Sequence, residues 1–115
     1  MDRTKKDLSI IKHILVYCTE IEQTVTRFGS ALESFETDKI YRNAAMMCIL
    51  QIGELAGRLS SEFAAAHPEA PWRSIKGMRN VAAHAYGSIS IPDVWDTITV
   101  DIPTLKAYCK KILNT

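Results

Sequence analysis

Four side chains able to do acid–base or phosphate chemistry fall within eight positions: Arg79, Asn80, His84 and Tyr86. They are set among small apolar residues and bracketed by Gly77 and Gly87. A histidine can give or take a proton near neutral pH. An arginine stays charged, can hold a phosphate and can stabilise charge building on its oxygens. Together they suit phosphoryl transfer. RNA brings its own nucleophile, the 2′-hydroxyl, so such a site needs no metal and no other cofactor, and no Asp, Glu or His cluster here has metal-ligand spacing. On one helix Asn80 and His84 are a turn apart, whereas Arg79 and His84 are separated by about 140° around the axis. Three arrangements could unite them: Arg79 reaches round on its long side chain, the helix ends near His84, or two copies meet across a dimer axis. The plain alternative is a capped helix end whose His and Tyr satisfy backbone groups.

The rest of the chain must position that cluster. Its 115 residues suit one domain, spanning 1–115, with 47% hydrophobic and 23% charged residues, proportions of a folded globular chain. Fourteen basic residues face thirteen acidic ones, so contact with nucleic acid has to come from a local patch or from dimerisation. No apolar stretch is long enough to span a bilayer. Lys12 and His13 interrupt any signal-peptide core, and the reading is cytoplasmic. Cys18, Cys48 and Cys109 sit in apolar helical contexts, far apart, and read as buried reduced thiols.

Apolar periodicity predicts an all-α bundle. A first helix runs from about Thr4 to Phe28 and stops at Gly29-Ser30, with residues 30–37 as a short connection to which Ala31-Leu32-Glu33 could add a turn. A second is capped by Thr37 or Asp38 and continues to about Leu59; it is apolar nearly all round except for Asn43, Gln51, Glu54 and Arg58. Glu54 and Arg58 have the order of a helical ion pair, and Glu54 could instead line an active groove as support. Residues Ser60 to Ala66 form a short helix. The fourth starts at about Trp72, after Pro71, turns Ile75, Met78, Val81 and Ala82 inward, and closes at Gly87. The fifth begins at Ser90-Ile91-Pro92, and Pro103 should kink or briefly break it.

The stretch Arg79-Asn80-Val81-Ala82-Ala83-His84-Ala85-Tyr86 resembles the Arg-x4-His-x-Tyr motif of the HepT-like family, a branch of the HEPN superfamily. The charged start of the first helix, Ile52-Gly53-Glu54, Pro71-Trp72, and the run from Asp93-Val94-Trp95 to Ile102-Pro103-x-Leu105 are similar as well. The resemblance implies an antiparallel HEPN-like bundle of four to five helices. It also implies the toxin of a type II- or VII-like toxin–antitoxin pair, a metal-independent endoribonuclease acting as a homodimer. Carried over, Arg79 and His84 would be catalytic, Asn80 would join Arg79 at the RNA phosphate, and Tyr86 would complete the motif. The partner would be an MNT-type nucleotidyltransferase antitoxin able to place AMP on Tyr86. An adenylyl group two residues from His84 would add negative charge and bulk to a phosphate groove. The other reading is a non-catalytic module of the same fold that binds a nucleotide or partner.

Overall fold

A computed structural model describes residues 3–84 and 90–114, apart from the side chains at 3, 4, 81 and 84. The described chain is helical, in the order α1 (Arg3–Phe28), α2 (Leu32–Thr37), α3 (Lys39–Gly57), α4 (Ser61–Ala66), α5 (Trp72–His84), α6 (Ile91–Asp96) and α7 (Ile102–Leu113), with a π-helical turn at Thr97–Asp101 joining the last two. Helix α3 lies between α1 and α5, and α7 packs on the other side of α1. Three long axes, α1, α3 and the rod from α6 through α7, and the shorter α5 thus make the bundle, as the apolar periodicity predicts, with α2 and α4 as short connectors. No described helix is long and apolar enough to cross a membrane.

Caps and a glycine set the turns. Asp38 accepts from the N–H groups of Ile40 at 2.9 Å and Tyr41 at 3.2 Å, which starts α3. Gly29 ends α1 at φ 112°, a conformation that suits a residue without a Cβ. The Tyr41 hydroxyl donates to the Gly29 carbonyl at 2.9 Å, so the end of α1 is tied to the start of α3. At the opposite end the buried Asp7 accepts from the Ser60 N–H at 2.9 Å and from its hydroxyl at 2.7 Å. Those two ties fix α1 and α3 as antiparallel.

The turn that Ala31-Leu32-Glu33 could add to the short connection at 30–37 is a longer helix, α2, reaching Thr37, because Phe35 is fully buried among Tyr41 and Trp95, with ring centroids 5.0 and 5.4 Å away. The disturbance expected at Pro103 is a π-helical turn between α6 and α7. Proline cannot donate to the carbonyl four residues back. The turn before it widens, the Ile102 N–H reaches the Thr97 carbonyl, and the rod continues through a π turn. The closing cap expected at Gly87 lies outside the described residues, as does the inward side chain expected at Val81.

Cys18, Cys48 and Cys109 are free and buried, as the sequence implies. Burial, with smaller contributions from acidic neighbours, pushes Cys18 up to about 12 from an ordinary 9.0. Burial alone does the same for Cys109, and burial plus Glu20 takes Cys48 to about 11. The sign follows from linkage: thiols of the unfolded chain ionise first, so stability is level below pH 9 and falls as pH rises toward the folded values. The expected slope is about 1.4 kcal/mol per pH unit for each thiol. Urea midpoints between pH 8 and 10 should show it, and Cys109→Ala should make it shallower.

Candidate active site

The site is built where α3 and α5 come closest. Gly53, buried on α3, faces Arg79 on α5 so tightly that a Cβ at position 53 would overlap the Arg79 Cβ and Cγ and lie 3.2 Å from its Cα. The bare backbone of Gly53 therefore seats the stem of Arg79. Its head is then fixed from two sides. The Nε–H donates to Glu54 Oε1 at 2.6 Å, Nη2 pairs with the same oxygen, and Nη1 donates to Asn80 Oδ1 at 3.1 Å. A guanidinium has five N–H donors. Among the described residues these contacts take three, leaving one on each terminal nitrogen for a ligand.

The Arg79 and Glu54 side chains are 30% and 38% exposed. At that exposure an ion pair adds little to stability, so its main effect is orientation. The pair takes the place of the Glu54–Arg58 ion pair suggested by their spacing: Gly53 brings Arg79 within reach of Glu54, and two guanidinium N–H groups meet one carboxylate oxygen.

Around this pair opens a cleft of about 330 Å³ between α3 and α5, lined by Gly53, Glu54, Gly57, Arg58, Lys76, Arg79 and Asn80. Arg58 and Lys76 were not singled out as facing Arg79 by the sequence. They are far apart in the chain, and only the antiparallel packing of α3 and α5 brings them together. Helix α5 is helical through His84, the last described residue before position 90, so His84 stands one turn beyond Asn80 in register. Arg79 turns its head toward Asn80. The side chain of His84 and all of Tyr86 lie outside the described residues. Among the described residues no His, Cys, Asp or Glu side chains cluster as a metal site.

A cleft presenting an oriented arginine, a neighbouring amide and two further cations can hold phosphates. Comparison with known proteins points the same way. The family profile described as "Ribonuclease HepT-like" matches residues 14–112. A Caldanaerobacter subterraneus protein named as a candidate RNase is 33% identical over 104 residues, covering 90% of this chain and 91% of that one. A Thermococcus cleftensis protein named as a probable ribonuclease HepT is 35% identical over 80 residues, 70% of this chain and 73% of its own length. A Methanocaldococcus jannaschii protein, also named as a candidate RNase, is 28% identical over 106 residues, with 90% and 88% covered. No solved structure matches the chain.

Proposed function

The chain belongs to the HepT-like ribonuclease family, and from that premise we propose that it is an endoribonuclease acting in the cleft between α3 and α5. The observation that carries the reading is Arg79, seated on Gly53 and aimed by Glu54 and Asn80, five residues before His84 on the same helix. His84 acts as general base toward the 2′-hydroxyl and then as general acid toward the leaving 5′-oxygen. Arg79, with Asn80 beside it, binds the scissile phosphate and stabilises the charge that gathers on its oxygens as the 2′-oxygen attacks. The products are a 2′,3′-cyclic phosphate and a 5′-hydroxyl end, and the scheme uses no metal.

The working unit in this reading is a homodimer. Ile40 and Met47 on α3 are 69% and 56% exposed, large for apolar side chains. They precede Glu54 at intervals of seven residues, two helical turns each, so all three fall on one line of the helix. Met46, Met47 and Leu50 also border a hollow with Ala82 of α5. A second copy laid on this strip by a two-fold axis would bury it and set two Arg79 clefts side by side. The chain then serves as the toxin of a toxin–antitoxin pair. Its antitoxin is an MNT-type nucleotidyltransferase, and AMP on Tyr86 silences the neighbouring His84 by charge and bulk.

The test is cleavage of a defined RNA by the purified protein in chelator, after intact mass has shown Tyr86 unmodified. The same RNA with a single 2′-deoxyribose at the mapped cut should resist at that bond only, and the normal products should carry cyclic phosphate ends. Binding without products would favour the non-catalytic module. Cutting at the 2′-deoxy position would overturn the proposed nucleophile.

A further inference from the structure

We propose that Arg58 and Lys76 form a second phosphate subsite beside Arg79, which seats the backbone phosphate flanking the scissile one and lets the cleft grip RNA without reading its bases. The inference rests on the ribonuclease reading above.

Charge is the first ground. Within the cleft, Arg58, Lys76 and Arg79 face a single carboxylate, Glu54, and that carboxylate is engaged by Arg79. The charges of Arg58 and Lys76 are left uncompensated by the other lining residues. This happens in a chain whose net charge is only +1, so the positive field is concentrated in the groove where a polyanion would have to lie.

Shape is the second. Gly57 lines the same cleft, next to Arg58 in the chain and exposed, and a Cβ there would meet nothing within 4 Å. A backbone phosphate can approach over this bare main chain with a long cationic side chain offered by each of the two helices.

Direction is the third ground. Helix α5 runs antiparallel to α3, with Arg79 opposite Gly53 and Lys76 toward the Gly57–Arg58 end. Lys76 stands one turn before Asn80 and two turns before His84, about 6 and 12 Å along the axis. A strand whose scissile phosphate sits at Arg79 and Asn80 therefore carries its next phosphate toward Lys76 and Arg58, away from His84. Contacts of this kind position a strand and carry no sequence information.

The experiment compares wild type, the double variant Arg58→Gln/Lys76→Gln, and Gly57→Glu, which adds an acid to the cleft where there is open space for it. Thermal melts confirm that each is folded. Cleavage kinetics on short single-stranded RNAs of differing sequence are measured from 50 to 200 mM salt. Binding is measured in parallel with the same RNAs carrying 2′-O-methyl riboses, which cannot be cut. The expected result is KM and Kd raised about tenfold at low salt in both variants, with kcat within about twofold. In the double variant the salt slope should fall by about 0.7, the value for one lost phosphate contact on a single strand. The losses should be alike for every sequence.

A folded double variant with wild-type KM, Kd and salt slope overturns the subsite. So does one that loses kcat while KM holds. Failure of the wild type to cleave overturns the ribonuclease reading alone. The binding arm then still decides the subsite: about tenfold weaker binding by the double variant supports it, and equal binding overturns it.

Discussion

Alanine at His84 or at Arg79 is expected to lower RNA cleavage by about two to four orders of magnitude, the range for losing a general acid–base or a charge-stabilising donor. The two losses should not multiply. Proton transfer and charge stabilisation serve the same transition state, so a double variant should be little worse than either single one. Arg79→Lys is the more discriminating substitution. Lysine keeps the Cβ and Cγ that rest on Gly53 and keeps the charge, so folding should be unaffected. What it lacks is the planar fork that lets Arg79 bind Glu54 and Asn80 and still offer one N–H from each terminal nitrogen. A fall of about a hundredfold in kcat with little change in melting temperature would assign orientation of the guanidinium as its contribution. Near-wild-type activity in Arg79→Lys would mean that the site needs only positive charge. Activity retained in His84→Ala would remove the histidine from the mechanism altogether.

Helical periodicity located the long helices, and capping, as chemistry between near neighbours, narrowed the starts to Thr37 or Asp38, Ser60 or Ser61, and Ser90, of which Asp38, Ser60 and Ser90 are the caps. The three buried cysteines were legible for the same reason, from the apolar positions around them. Spacing along one helix does not reveal which residue of another helix faces it. Glu54 therefore reads either as a partner for Arg58, four residues on, or as support lining a groove, and only the α3–α5 packing brings its carboxylate to Arg79. Lys76 carried no signal at all until that packing placed it in the cleft with Arg58. The π turn before Pro103 was legible only as a disturbance, since whether a proline kinks, breaks or widens a helix depends on what the flanking turns are packed against. Here Ile98 and Ile102 are both buried, which holds the rod together through the defect.

Gly53 is the position at which this difference can be measured. An alanine in a helix ordinarily improves on glycine by roughly 0.5–1 kcal/mol, through the freedom the unfolded chain no longer has to lose. Helix α3 offers two glycines for comparison. At Gly57 a Cβ meets nothing within 4 Å, so Gly57→Ala should be neutral or mildly stabilising. At Gly53 the same methyl would overlap the stem of Arg79, and backbone on both sides limits what can yield. Helix α5 must shift or Arg79 must leave its seat. Overpacking of this kind costs about 1–3 kcal/mol, enough to reverse the usual sign, and should lower the urea midpoint of Gly53→Ala below wild type while Gly57→Ala stays at or above it. Activity should suffer more than stability, since displacing a catalytic group by about an ångström can cost around a hundredfold. Folded Gly53→Ala should therefore cleave RNA about a hundredfold more slowly, and Arg79→Ala placed on top should cost little more, because the arginine has already lost its position. If Gly53→Ala instead stabilises the protein and cleaves normally, the close approach of α3 and α5 is not what aims Arg79, and Glu54 and Asn80 must hold it unaided.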